Sequence, residues 1–359
     1  MDGARYASGL VLVGPADVHE LRIAVAEELG HALRGQVFSH APKVAAPRTG
    51  SAARIASAAV SWTVRGRTAL VTGAARGIGA ETARRLAARG ANVALVGLEP
   101  EELERVAAQC GRNAAWFEAD VTDWDALRRA VDQSVERFGG IDVVVANAGI
   151  GPVGMVRSTD PAAFERTIDV NLLGIWRTVR SCLPHVIERR GYVLVVASLA
   201  AAIHTPGMAA YAASKAGAEA FADSLRVEVK RLGVDVGVGY FSFIDTDLAR
   251  GADAHPSLGH LREASPGPFG KTYPLAAVGR AVVDGIERRR RWIVVPRWVR
   301  AALVLRAAVA PLLDRALFDA AAEADAAFEA DVAARGVEAA SAPVGPGGEA
   351  AFRRSAGRA

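Results

Sequence analysis

The chain has 359 residues, 51% hydrophobic and 23% charged, enough apolar surface for one substantial core and too much for a chain disordered throughout. Its 43 basic residues face 39 acidic ones, and the resulting charge of +4 is spread along the chain, which gives no footprint for nucleic acid. Two cysteines, Cys110 and Cys182, exclude a disulfide framework and a CxxC metal or redox pair; they read as ordinary buried thiols in a reducing, cytoplasmic setting, with no metal site.

In chain order, residues 1–64 read as a partly disordered N-terminal extension. A helix is predicted over Ala16–Leu33, followed through Ser61 by a linker of Ala, Ser, Pro and Arg. Asp2, Asp17, Glu20, Glu27 and Glu28 interrupt any apolar core near the start, so no signal peptide is read there. Over residues 65–296 short β-branched runs alternate with longer helical patterns, the pattern of an α/β domain with a doubly wound parallel sheet. Seven strands are predicted: Thr68–Thr72, Asn92–Val96, Ala114–Glu118, Ile141–Ala146, Tyr192–Ala197, Val234–Tyr240 and Trp292–Val295. The helices between them are predicted near Ile78–Arg89, Pro100–Cys110, Trp124–Phe138, Pro161–Arg189, Tyr211–Leu232 and Pro274–Arg289, with Gly90 and Gly233 as helix stops. The stretch Gly191–Ser214 has 24 residues without a formal charge, but its Ser198, His204, Thr205, Pro206 and Gly207 suit a buried strand and turn better than a membrane span. Residues 297–335 read as a helical extension interrupted by Pro311, and residues 336–359, rich in Gly, Ala, Pro and Arg, as a disordered tail.

The first strand runs into Thr72-Gly73-Ala74-Ala75-Arg76-Gly77-Ile78-Gly79 and then directly into a helix. Glycines there admit a pyrophosphate close to the backbone, and the helix N-terminus offers it free N–H groups and partial positive charge. Asp120-Val121 follows the third strand, Asn147-Ala148-Gly149 the fourth and Ser198 the fifth, while Tyr211 and Lys215 open the next helix. All lie at or beyond strand C-terminal ends, where an open parallel sheet binds ligands. Tyr211 and Lys215 are four apart, hence on one helix face, and a nearby ammonium lowers a phenol's pKa toward the range of a proton-transfer catalyst. Only Lys43, Lys215, Lys230 and Lys271 are lysines and every other cation is arginine, so a lysine at this spacing is informative.

With these motifs in hand, residues 65–296 resemble the short-chain dehydrogenase/reductase family in its short, single-domain form. The resemblance implies a Rossmann-fold oxidoreductase that uses NAD(H) or NADP(H) to interconvert a secondary alcohol and a ketone. Thr72, Gly73, Gly77, Ile78 and Gly79 match its nucleotide loop, and Asp120 with Val121 its adenine contact. Asn147, Ala148 and Gly149 border the cofactor. The resemblance further implies that Asn171 supports the proton relay, Ser198 holds the substrate, Tyr211 is the acid/base and Lys215 its electrostatic partner, and that Tyr211 and Lys215 also touch the cofactor, as Thr246 does at its amide. Two departures stand out. Phe241-Ser242 replaces the Pro-Gly of many members, and Gly97 replaces the aspartate that binds both ribose hydroxyls in NAD enzymes, leaving Glu99 as the nearest carboxylate. Arg76 is either a solvated loop residue or placed to meet a 2′-phosphate, and the latter leans the reading toward NADP(H).

Ile150, Pro152, Val153, Ile203, His204 and Met208 are expected on the substrate side, favouring an apolar alcohol or ketone, and Arg250–Thr272 is a candidate lid. Arg288–Arg291, followed by Arg297, Trp298, Arg300 and Arg306, suits a helix C-terminus or a patch over residues 288–318 that rests on anionic lipid with Trp298, Leu303 and Leu305 dipping in. A homodimer or homotetramer through the helices near Pro161–Arg189 and Tyr211–Leu232 is a further implication of the resemblance. The alternative is a non-catalytic protein of this fold that acts through partner or membrane-surface binding.

Overall fold

The computed structural model describes residues 62–356 apart from Ala264 and Pro266, so the helix and linker predicted before residue 62 lie outside the described residues. Seven parallel strands form one sheet: β1 (Thr68–Thr72), β2 (Asn92–Gly97), β3 (Ala114–Glu118), β4 (Val143–Ala146), β5 (Tyr192–Val196), β6 (Asp235–Phe241) and β7 (Trp292–Val295), in the order β3-β2-β1-β4-β5-β6-β7. β1, β4 and β5 are buried along their whole length because helices cover both faces, which is why they read as unbroken apolar runs rather than alternating ones. β3, at the edge, is only partly covered and carries Trp116 and Glu118.

The connecting helices are α1 (Gly77–Ala88), α2 (Pro100–Cys110), α3 (Trp124–Phe138), α4 (Pro161–Ile168), α5 (Gly174–Glu188), α6 (Ala209–Lys230), α7 (Asp247–Ala254), α8 (Pro256–Glu263) and α9 (Leu275–Glu287). Their boundaries have local causes. Asp123 caps α3, its Oδ1 accepting from the N–H groups of Asp125 and Ala126 at 3.0 Å, and Asp160 caps α4 ahead of Pro161. Gly90 and Gly233 do end helices, at φ of +85° and +81°. The single helix predicted over Pro161–Arg189 is instead α4 and α5 joined by a π-helical turn, Asp169–Leu173, which carries Asn171.

Beyond the sheet lie α10 (Val299–Val304), α11 (Arg306–Arg335), α12 (Val337–Ala340) and α13 (Pro346–Ala356). The break in the extension falls at Leu305, and Pro311 is accommodated inside α11. The disordered tail expected over 336–359 is corrected for residues 336–356. Buried Ser341 accepts a hydrogen bond from the Asp160 N–H at 2.9 Å, and the Val344 N–H donates to the Gly151 carbonyl at 3.2 Å. His255 is buried against the Phe328 ring, ring centroids 6.1 Å apart, with Nε2 3.4 Å from the Ala340 carbonyl, and burial pulls its pKa down.

The cationic run Arg288–Arg291 follows the C-terminus of α9, as one of its two readings has it. The Arg289 guanidinium pairs with Asp235 and donates to the carbonyls of Arg190, Gly191 and Gly233, so it ties strand ends together. Leu303 is buried, and Trp298 stacks edge-on against Phe269 at 4.9 Å while its indole N–H donates to the Tyr273 hydroxyl at 2.9 Å. The large apolar side chains left facing solvent there are Val304, Leu305, Leu312 and Phe318, at 67%, 55%, 69% and 76% exposure.

Candidate active site

The C-terminal ends of the strands open onto a cavity of about 320 Å³ that runs from the β1–α1 loop to the underside of α11. At one end stands the glycine loop. A Cβ on Gly79 would lie 2.2 Å from the Gly73 carbonyl oxygen, so the loop closes this tightly only because residue 79 has no side chain. α1 starts without a side-chain cap and without an acid in its first turn, so its free N–H groups and positive end are available to an anion at the cavity wall. Thr72 sits behind this loop. Its Oγ1 accepts from the N–H groups of Asn147 and Ala148 at 3.1 and 3.3 Å, and the Asn147 amide donates to the Thr72 carbonyl at 3.0 Å, locking the ends of β1 and β4 together.

Asp120 is buried at the end of β3. One of its carboxylate oxygens accepts from the Thr122 N–H at 2.9 Å and the other from Arg166 Nη2 at 3.1 Å. Val121 packs beside Ile150 and Val170. Thr246 lies across the cleft against Gly77, whose added Cβ would be 3.5 Å from its methyl, and its hydroxyl caps α7. The altered Phe241-Ser242 segment therefore still delivers Thr246 to the glycine loop. Asn171, buried in the π-helical turn, accepts from the Ile150 N–H and donates to the Ile150 carbonyl, both at 2.8 Å, and donates to Ser214 Oγ at 3.1 Å.

Ser198, Tyr211 and Lys215 meet midway along the cavity. The Ser198 hydroxyl is in hydrogen-bond contact with the Tyr211 phenol, and it accepts from the Ala200 N–H at 3.1 Å. Lys215 Nζ donates to the Val196 carbonyl at 3.0 Å and stands 5.7 Å from the centroid of the Tyr211 ring. The expected lowering of the phenol's pKa by this ammonium is not what the site shows. Burial pushes Tyr211 up, the bond to Ser198 only opposing that, and burial also pulls Lys215 down to about 8. The phenol is thus held protonated at neutral pH and the amine's titration lies close to it.

Arg76 lines the cavity but does not offer a free cation. Its Nε donates to Glu99 Oε2 at 3.0 Å, its Nη2 pairs with the other Glu99 oxygen, and its Nη1 donates to Asp247 Oδ2 at 3.3 Å. The bonds to Glu99 raise the guanidinium's pKa further. Glu99, at the end of β2, therefore reaches the nucleotide end of the cleft.

On the opposite side Ile150, Pro152, Val153, Ile203, His204 and Met208 all line the cavity as expected. The expected lid folds as α7, α8 and a 3₁₀ turn, Gly267–Gly270, that brings in Leu258 and Phe269. Leu313 and Leu317 of α11 complete this wall. Sequence reasoning missed these two, together with Arg166, Asp247 and Ser214. The leucines' i, i+4 spacing on a helical extension was the one available signal.

Residues 67–257 match the family described as short chain dehydrogenase. The chain belongs to this family. Among curated relatives, it is 32% identical over 251 residues to 11-beta-hydroxysteroid dehydrogenase 1A of Arabidopsis thaliana, covering 66% of this chain and 70% of that one. It is 36% identical over 192 residues to cis-4-hydroxycyclohexanecarboxylate dehydrogenase of Sinomonas cyclohexanicum, covering 52% and 77%. Among solved structures, a dehydrogenase/reductase from Sinorhizobium meliloti 1021 superposes with a TM-score of 0.59 at 29% identity, covering 65% of this chain and 95% of that one. This short chain dehydrogenase is an NAD(P)-dependent oxidoreductase that interconverts an alcohol and a ketone. The glycine cradle, the uncapped start of α1 and the buried Asp120 fit a dinucleotide. Among the described residues no helix is long and apolar enough to cross a membrane.

Proposed function

We propose that this enzyme acts on a bulky apolar secondary alcohol or ketone, with Tyr211 as the proton carrier and NAD(H) as the preferred cofactor. The observation that carries the reading is the buried Tyr211 phenol, bonded to Ser198 where the polar and apolar halves of the cavity meet. The backbone of Gly73, Gly77 and Ile78 holds the pyrophosphate, Asp120 and Val121 the adenine, Asn147, Ala148 and Gly149 the rim, Lys215 the ribose and Thr246 the amide. When bound, the nicotinamide supplies or takes up hydride at the substrate carbon. In ketone reduction the protonated Tyr211 hydroxyl gives its proton to the developing alkoxide while Ser198 fixes the substrate oxygen. In the reverse direction the phenolate, favoured by the Lys215 ammonium, takes the alcohol proton. Asn171 is a positioning residue that holds the Ile150 backbone and the Ser214 hydroxyl.

The leaning toward NADP(H) gives way to NAD(H) because Arg76 is engaged by Glu99 and Asp247. A 2′-phosphate there would have to displace a carboxylate and sit beside two of them. Isothermal titration with NAD⁺ and NADP⁺ tests this. NAD⁺ should bind more tightly and Glu99→Gln should narrow the gap; tighter NADP⁺ binding that Arg76→Ala abolishes would reverse the assignment. The substrate class is tested by following nicotinamide absorbance across alcohols and ketones of graded size and polarity, where faster turnover of small polar substrates would overturn it.

The exposed Val304 and Leu305 at the end of α10 and Leu312 and Phe318 on α11, whose other face roofs the substrate wall, flanked by Arg300 and Arg315, support peripheral contact with anionic lipid. Wild-type protein should sediment with anionic vesicles and a Leu312→Glu, Phe318→Glu variant should not; equal sedimentation removes the idea. Exposed Leu173 and Trp176 near α5, and Val227 on α6, support a homo-oligomer through those helices, which a monomer mass in light scattering would exclude.

A further inference from the structure

The family match ends at residue 257, yet the nucleotide end of the cleft is completed by residues far beyond it. Val344, Gly345, Gly347, Gly348 and Ala351 line the same cavity as the glycine loop, Asp120 and Val121. Separate contacts hold this segment in place. The Val344 N–H donates to the Gly151 carbonyl at 3.2 Å. Gly345 is pressed against α7 so closely that a Cβ on Gly251 would stand 2.9 Å from its backbone nitrogen. Gly347 lies over the Arg76–Glu99 pair, its Cβ position 3.5 Å from Arg76 Cδ and 3.8 Å from Glu99 Oε2. Ala351, 3% exposed, packs with Val121, Ile150 and Val170, with Leu98 and Ala148 at the edge of the group. Its carbonyl is 3.4 Å from Nη2 of Arg166, the nitrogen that also holds Asp120.

We infer that residues 344–351 are a built-in wall of the adenosine subsite, so that the adenosine half of a dinucleotide binds between the sheet edge and this segment. The inference rests on reading the cleft as a dinucleotide site. The segment bounds the cavity instead of filling it. At 345, 347, 348 and 351 it presents no side chain larger than a methyl group, so where Ala351 closes on Val121 and Val170 the cavity beside them stays open to a flat purine. Asp120 stands at the edge of that opening as an acceptor, held in place by Arg166. Because the segment contacts the groups expected at both the ribose and the adenine, its docking and the binding of adenosine favour one another.

Two full-length variants separate this wall from a bystander. Gly251→Ala places a methyl against the Gly345 backbone, and since alanine is the better helix former it leaves α7 intact. Ala351→Glu sets a second carboxylate beside Asp120. Titration calorimetry should show ADP-ribose binding weakened roughly tenfold in each, with nicotinamide mononucleotide binding unchanged. Unchanged or tighter ADP-ribose binding in both variants would overturn the inference, the latter making the segment a plug. Failure of the unmodified chain to bind either ADP-ribose or NAD⁺ would instead sink the dinucleotide reading of the cleft, and the wall with it.

Discussion

Lys215→Met offers a test in which stability and activity move in opposite directions. The amine is 3% exposed, donates to the Val196 carbonyl at 3.0 Å, and is pulled by burial from 10.5 to about 8. A unit of pKa is about 1.4 kcal/mol, so keeping this amine protonated inside the fold costs about 3 kcal/mol at neutral pH. The unfolded chain keeps the proton up to about 10.5 and the folded chain only to about 8. Between those values the unfolded state binds more protons, so this group makes stability rise with pH from about 8 to 10.5 and leaves it flat below. Methionine keeps the length of the side chain and removes the charge, while the lost hydrogen bond returns about 1 kcal/mol. Nucleotide-free Lys215→Met should therefore be more stable by about 2 kcal/mol at neutral pH, and should lack the rise above pH 8. Urea titration of both proteins at neutral and alkaline pH measures this, and their difference cancels groups common to both. A variant less stable at neutral pH, or one with the wild-type slope above pH 8, would refute the account. Turnover should meanwhile collapse, because the phenolate loses the cation that favours it.

Tyr211→Phe should lower turnover by about a hundredfold or more at an unchanged melting temperature, read from nicotinamide absorbance and differential scanning calorimetry. Gly79→Ala should abolish NAD⁺ binding in calorimetry, because its Cβ would stand 2.2 Å from the Gly73 oxygen and the loop must open. Phe328→Ala removes a fully buried ring packed on His255 and Gly154, and should cost about 3–5 kcal/mol in urea titration. Burial pushes both thiols up, Cys110 to about 11, so the native protein should resist a thiol-specific disulfide reagent that labels both cysteines once it is unfolded.

The sheet was legible because its signal is local. A strand buried on both faces must be apolar throughout, so β1, β4 and β5 announced themselves, and helix stops at Gly90 and Gly233 needed only a residue tolerant of positive φ. The site was legible for a related reason. Parallel topology sends every β–α loop to one edge, so motifs scattered from Thr72 to Thr246 had to converge. Charge pairing between distant segments was not legible. Nothing near Arg76 in the chain says that Asp247 faces it, and a motif read in isolation makes that arginine a free cation when it is a shared one. The same holds for the Tyr211 phenol, where spacing reveals a nearby amine but not that both groups are dry enough for burial to outweigh it.

The C-terminal segment carries this reasoning furthest. Residues 336–356 have the composition of a chain that cannot cover itself, and by that measure alone they should stay unfolded. Composition counts only the surface a segment brings, however, and this one docks on surface that others supply. The Asp160 N–H meets Ser341, the Gly151 carbonyl meets Val344, and the apolar floor of Val121 and Val170 receives Ala351. Its glycines, which look like disorder in a linear reading, are what allow the backbone to approach α7 and the Arg76–Glu99 pair this closely. If the adenosine half of the cofactor also borrows that floor, the segment's order is linked to nucleotide occupancy. Hydrogen exchange of residues 344–351 should then slow when ADP-ribose is added, while exchange in β4 and β5, buried whether or not nucleotide is present, stays as it was.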